Sequence, residues 1–117
     1  MKEIDHYNLL HNNTFGIEAY CDKFVEYGDE EEAVEIAQRL RLGDDYLILG
    51  GGSDLLLTGD YRGTVVHSAI SDFTTRNVSG GVLVRVGSGF TWDELVRMTV
   101  EQGWHGAENL SLIPGEV

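Results

Sequence analysis

An apolar run, Tyr46-Leu47-Ile48-Leu49, passes directly into three consecutive glycines, Gly50-Gly51-Gly52, and then into Ser53-Asp54-Leu55-Leu56-Leu57. Four apolar residues bounded by turn formers read as a buried strand. A triple glycine after such a strand strips the backbone of side chains at the place where, in βαβ structures, ligands gather. Glycine tolerates positive φ and lets a ligand approach the backbone, so successive N–H groups are able to converge on an anion such as a diphosphate. A flexible or tight turn accounts for three glycines equally well at this point. Two familiar phosphate loops are excluded. The P-loop needs a lysine for the outer phosphates, and no lysine follows Lys23. The dinucleotide fingerprint needs glycines that open a helix, and these lead into Leu55-Leu56-Leu57 and Thr58-Gly59.

The flanking pattern supplies the rest of a βαβ unit. Glu18 to Tyr27 alternates polar and apolar residues, with Tyr20, Phe24, Val25 and Tyr27 favouring a half-buried strand. Asp29 with Glu32 is a capping-box spacing, and Ala33, Val34, Ile36, Ala37 and Leu40 form one helical stripe, so a helix is expected from about Glu30 to Leu42, ended by Gly43. Met1 to Asn13 matches no periodicity and reads as an irregular lead-in. Beyond the glycines, short β-rich runs at Thr64 to Ser68, Asp72 to Val78 and Val82 to Val86 alternate with turn signals, Ser79-Gly80-Gly81 marking a hairpin. A second capping box, Thr91 with Glu94, opens a helix that carries Trp92, Leu95, Val96 and Thr99 on one face and stops at Gly103. The expected class is α+β in two lobes, an N-terminal βαβ unit followed by a mixed or antiparallel sheet with a helix, divided near Gly50 to Asp54.

Composition narrows the partners. With 117 residues, 42% of them hydrophobic and 24% charged, the chain is that of a soluble globular domain. Twenty acidic against eight basic side chains leave a formal charge of -12, which repels nucleic-acid phosphates and anionic membrane surfaces. A phosphate-bearing ligand would still bind if local backbone N–H groups and helix ends overcame that field, which salt screens within roughly 10 Å. Cys21 is single, and the first residues lack the pattern of a secretory leader, so a reducing, cytoplasmic setting is expected. His6, His11, His67 and His105 have no metal-ligand spacing, and no metal is assigned. Cys21 reads as a small buried hydrophobe. Gly87-Ser88-Gly89 before the second helix is either a further phosphate contact or the exit of a hairpin.

Four segments in register carry a resemblance: Asn13-Thr14-Phe15-Gly16-Ile17, Leu49 to Leu56, Tyr61-Arg62-Gly63-Thr64-Val65-Val66, and Glu108-Asn109-Leu110-Ser111-Leu112-Ile113-Pro114-Gly115. From about Asn12 onward the chain resembles the amino-terminal portion of the UDP-N-acetylenolpyruvoylglucosamine reductase family. The resemblance implies a two-lobed FAD-binding fold of the vanillyl-alcohol-oxidase type, with residues 1–50 as the first lobe and 51–117 as the start of an incomplete second, the substrate domain lying outside the chain. It implies cofactor contacts at Gly50, Gly51, Gly52, Ser53, Asp54 and Leu55, and a second flavin-contacting strip at Ile113, Pro114 and Gly115. Asp54 stands where relatives usually carry asparagine; beside a pyrophosphate its carboxylate is expected to turn away and accept loop N–H groups.

In that family NADPH reduces the flavin, which passes hydride to the enolpyruvyl ether of a UDP-linked amino sugar on the way to peptidoglycan. The serine, arginine and glutamate that the family uses for protonation and enolate stabilisation lie downstream of the Ile-Pro-Gly strip. Those roles do not transfer to Ser111, Arg97 or Glu116, so no catalytic residue is assigned. The expected activity is therefore that of a complete parent enzyme, the fragment itself binding FAD weakly or not at all and self-associating when concentrated. Two other readings compete: a stand-alone nucleotide-binding module without catalysis, and another flavoprotein oxidase of the same fold.

Overall fold

The computed structural model describes residues Met1–Val117, which divide into two compact units, Met1–Ala69 and Ile70–Val117. The first holds β1 (Lys2–Asn8), β2 (Tyr20–Tyr27), α1 (Glu30–Arg39), β3 (Tyr46–Leu49) and β4 (Tyr61–Ser68). The second holds β5 (Phe73–Val78), β6 (Gly81–Val86) and α2 (Trp92–Glu101). No helix is long and apolar enough to cross a membrane.

In the first unit the strands run in the order β1-β2-β4-β3, with β2, β4 and β3 mutually parallel and β1 antiparallel to β2. The βαβ unit read from sequence is present as β2-α1-β3, with β4 inserted between its two strands. Insertion changes which strand is buried. Val65 and Val66 of β4 face opposite sides of the sheet and are both buried, as a central strand requires. β3, expected as the buried strand, is the sheet edge instead, with Tyr46 50% and Ile48 72% exposed. Because β4 sits at the centre, the first unit runs through to Ala69 rather than ending near Gly50.

Two apolar layers hold this sheet. Val25 and Val66 pack with Ile36 of α1 on one face. Leu9, Cys21, Phe24, Leu49 and Val65 pack on the other, joined by Tyr7, Leu55, Leu57 and Tyr61. Cys21 and Phe24 reach the same face, against simple alternation, because the register with β4 shifts between Cys21 and Lys23. Burial of Phe24, Leu9 and Val65 stabilises the unit by roughly 1.5–3 kcal/mol each. Burial also pushes the Cys21 thiol up, so it stays a neutral core group.

β1 replaces the irregular lead-in expected from sequence. It pairs with β2 from Lys2↔Glu26 to Asn8↔Tyr20, interrupted at His6, where φ is +51°. Its exposed charges hid the strand pattern. They also protect an edge: Lys23 lies 3.9 Å from Glu3 and 3.8 Å from Asp5, and Arg39 of α1 binds Glu3.

α1 starts as its capping signal indicates, the Asp29 carboxylate accepting from the Glu32 N–H at 2.8 Å. The return bond falls one residue earlier than in the usual box, Glu32 accepting from the Gly28 N–H at 2.7 Å. The helix ends at Arg39, three residues short of the expected Leu42. Asp44 accounts for this, because its carboxylate and N–H pair with the Arg41 N–H and carbonyl and close a turn that carries Gly43 at φ +100°.

The Gly28 N–H holds the Glu32 carboxyl below its ordinary value of 4.5, with the chain's amino group adding to the effect. A carboxyl lowered in the folded state contributes stability above its unfolded pKa and loses it as pH falls through the folded value. Glu32→Gln is therefore expected to lower the thermal midpoint near neutrality and to make little difference well below pH 4.5. Thermal denaturation across the acid range measures this; an equal loss at both ends would contradict it.

In the second unit β5 and β6 form an antiparallel hairpin closed by Ser79-Gly80, with Gly80 at φ +83°. Gly87-Ser88-Gly89 is its exit. The Gly87 N–H donates to the Asp72 carbonyl and the Gly89 N–H to the Ile70 carbonyl, which uses the donors a phosphate would need. A side chain at position 87 would lie 2.2 Å from the Ile70 oxygen. α2 buries Leu95, Val96 and Thr99. At its end the Gly103 N–H bonds Val100 and the Trp104 N–H bonds Thr99, a Schellman closure with Gly103 at φ +71°.

Candidate functional site

Parallel β2, β4 and β3 end together, with Glu26 opposite His67 and His67 opposite Leu49. The Glu26 carboxylate lies 2.9 Å from the His67 Nδ1 across this row. Directly beyond Leu49 the chain enters Gly50-Gly51-Gly52-Ser53, outside the carboxyl ends of the strands, where a crossover sheet leaves room for a ligand.

The loop is tied at three points. Leu49 anchors its start in the β3–β4 ladder, and Leu55 and Leu57 anchor its far end on the apolar layer around Phe24. Gly52, between them, is buried at φ +68° and accepts from the Thr14 N–H at 3.1 Å. Its backbone lies so close to the first turn of the chain that a Cβ there would stand 1.8 Å from the Asn12 carbonyl oxygen. Only glycine meets both demands, the left-handed φ and the close approach.

Asn13 shapes the opposing wall. Its amide N–H₂ donates to the Leu9 carbonyl at 2.8 Å and to the Ile17 carbonyl at 2.9 Å, while its oxygen accepts from the Ile17 N–H at 2.9 Å. Tyr7 Oη donates to the neighbouring Asn12 side chain at 3.1 Å. This clasp fixes Asn12-Asn13-Thr14 as the surface that Gly52 rests on.

Between those anchors the N–H groups of Gly51, Ser53 and Asp54 find no acceptor in the protein, and Gly50, Gly51 and Asp54 are exposed. Unsatisfied backbone donors on a glycine loop suit an anion, and they do so without a lysine or arginine. The residues therefore fit a pyrophosphate group. Asp54 does not act as expected: its carboxylate accepts no loop N–H. The residue holds φ +55° instead, a left-handed conformation that Asp and Asn tolerate better than other side chains. Backbone geometry, not capping, is what the position demands.

The structure brings Gly50, Gly51, Gly52, Ser53, Asp54 and Leu55 together in the first unit. Ile113, Pro114 and Gly115 belong to the second. There Gly115, at φ +110°, accepts from the Trp92 N–H at 3.0 Å, the Val117 N–H donates to the Phe90 carbonyl at 3.0 Å, and Thr91 and Glu116 form a bridge. Thr91 makes no side-chain cap for α2, and Glu94, its expected box partner, is bound by Arg97. Ile113 and Pro114 are exposed.

Sequence reasoning missed Asn12, Asn13 and Thr14 as part of the glycine-loop site. Asparagine before a turn is a common sight, and nothing local ties it to Gly52, which meets this segment only in the folded chain.

A family model described as "FAD binding domain" matches residues 21–117. A UDP-N-acetylenolpyruvoylglucosamine reductase of Bacteroides fragilis is 46% identical over 112 residues, covering 95% of this chain and 34% of that enzyme. The corresponding reductase of an Azoarcus species is 40% identical over 111 residues, covering 90% of this chain and 32% of its own. The crystal structure of the Thermus caldophilus reductase superposes with a TM-score of 0.68 at 25% identity, over 99% of this chain and 39% of that one. The chain thus spans about a third of the length of the curated relatives it matches.

Proposed function

Because the chain belongs to the FAD binding domain family, we propose that it forms the cofactor-holding part of a UDP-N-acetylenolpyruvoylglucosamine reductase, a cytoplasmic enzyme of peptidoglycan synthesis that uses NADPH and a nucleotide-sugar substrate. The observation that carries this reading is the set of unpartnered N–H groups on Gly51, Ser53 and Asp54, in the loop beyond the carboxyl end of the parallel strands. Gly50, Gly51, Gly52 and Ser53 receive the FAD pyrophosphate, and the Ser53 hydroxyl adds a donor. Asp54 and Leu55 set the loop's exit, Leu55 by packing on the core. Ile113, Pro114 and Gly115 lie against the flavin.

FAD, when bound, supplies hydride transfer between the nicotinamide and the enolpyruvyl ether. This chain's residues bind and orient it. Backbone donors suit the role in a chain of formal charge -12, since they neutralise phosphate locally where side-chain cations are scarce. Groups that protonate the product are not assigned to these residues.

Gly51 is the position for a test that separates binding from folding. Gly51→Val in the complete enzyme is expected to raise the Kd for FAD by about a hundredfold or more, because a branched side chain blocks approach to the donors. The thermal midpoint of the apoprotein should barely move. Flavin absorbance retained through gel filtration at the parent level would sink the assignment.

A further inference from the structure

We propose that Asp93 is a positioning residue for the flavin-facing strip, holding Leu112 in a left-handed conformation that sets the path of Ile113-Pro114-Gly115; this rests on the flavin reading above. Leu112 has φ +60° and is 83% exposed. A leucine seldom adopts that backbone, since its Cβ crowds the following carbonyl, and here no packing offsets the strain. Something else must hold it. The Leu112 N–H donates to the Asp93 Oδ1 at 2.7 Å, a charge-assisted bond of the short, strong kind.

The surrounding contacts show what that bond controls. On one side of Leu112, the Leu110 carbonyl accepts from Trp92 Nε1 at 2.8 Å. On the other, the Gly115 carbonyl accepts from the Trp92 N–H at 3.0 Å. Between these fixed points the Leu112 amide is the one backbone group of residues 111–114 with a hydrogen-bond partner. Two successive residues of α2 thus clamp the strip at three places, and Asp93 supplies the middle one. Without it Leu112 relaxes to negative φ, and the direction in which the chain leaves toward Ile113 and Pro114 changes. The same strip satisfies one of the free donors at the start of α2, the Trp92 N–H.

The test uses the complete enzyme with FAD, and a paired glycine substitution that removes the strain. Asp93→Ala is expected to weaken FAD binding roughly tenfold to a hundredfold, the range for loss of a hydrogen bond to a charged group. It should also speed exchange of the Leu112 amide. Asp93→Asn keeps an acceptor oxygen and should recover most of the affinity. Leu112→Gly alone should bind FAD like the parent, and added to Asp93→Ala it should restore affinity to within about threefold, because glycine takes φ +60° without support. That rescue is what a residue serving only general stability would not produce. Unchanged Leu112 exchange in Asp93→Ala, or no rescue by Leu112→Gly, overturns the proposal. Faster exchange with FAD affinity intact also overturns it, by removing the strip from the flavin; the pyrophosphate assignment would survive, being read separately through Gly51→Val.

Discussion

Gly52→Ala is expected to unfold much of the first unit under conditions where the parent chain is fully folded. The added methyl would meet the Asn12 carbonyl oxygen at 1.8 Å, the Asn12 carbonyl carbon at 2.7 Å and the Asn13 Cα at 2.9 Å. All three are backbone, so no rotamer relieves the contact. One side of the clash is the loop anchored by Leu49, Leu55 and Leu57, and the other is the segment clasped by Asn13. Left-handed φ at a non-glycine residue costs about 1–2 kcal/mol, and forcing apart two packed segments adds about 1–3 kcal/mol. A sum of roughly 2–5 kcal/mol is a large share of the ~5–15 kcal/mol by which domains are usually stable. The measurable outcome is a fall in the thermal midpoint of about 10 °C or more. A midpoint within about 2 °C of the parent would show that the loop does not rest on Asn12 as described. The contrast with Gly51→Val is the informative part, because the two neighbouring glycines differ in surroundings: Gly51 is exposed, whereas Gly52 is buried against Asn12.

Asn13→Ala should come close to this in size. Asn13 is only 7% exposed, and its side chain satisfies the Ile17 N–H and the carbonyls of Leu9 and Ile17. The Leu9 carbonyl keeps a second donor, the Asn12 N–H at 2.9 Å, so its loss is partial. Each partner left buried and unsatisfied costs about 1–3 kcal/mol, for a total of roughly 2–5 kcal/mol. Asn13→Asp should be no milder: it keeps an acceptor for the Ile17 N–H but turns a carboxylate toward two carbonyl oxygens. Urea denaturation of both variants, with amide exchange at Ile17 and Thr14, measures the effect. Loosening of the clasp should appear at the Thr14 amide as well, since its bond to Gly52 depends on that segment's position. A stability loss with Thr14 exchange unchanged would separate Asn13 from the glycine loop.

Much of the fold was legible locally. Asp29 and Glu32 announced α1, Ser79-Gly80-Gly81 announced the β5–β6 hairpin, Gly103 announced the end of α2, and Tyr46 to Leu49 announced β3 with its bounds intact. Each of these depends on residues within one or two turns of each other. Where local signs failed, another contact had taken over. β1 reads as irregular because a charged edge strand has no apolar alternation; its identity comes from pairing with β2. Thr91 and Glu94 have the spacing of a capping box, yet Thr91 makes no cap and Glu94 pairs with Arg97 three residues on, a competing contact of the same local range.

The candidate site divides the same way. By itself the sequence determined that a glycine-rich loop follows a strand and that no lysine or arginine lies within it, so that an anion bound there would draw on backbone donors and the Ser53 hydroxyl. Those conclusions rest on the stereochemistry of glycine and on which side chains are present, properties that need no fold. Only the tertiary structure decided that Gly52 packs on Asn12 while Gly51 is exposed, that Asp54 answers a backbone requirement instead of capping, that Asn13 clasps the segment beneath Gly52, and that Asp93 accepts from the Leu112 amide. The physical reason is that these roles come from contacts between segments far apart in the chain. A hydrogen bond or a clash between them exists only once β4 has slotted between β2 and β3, or once residues 110–117 have folded back onto α2.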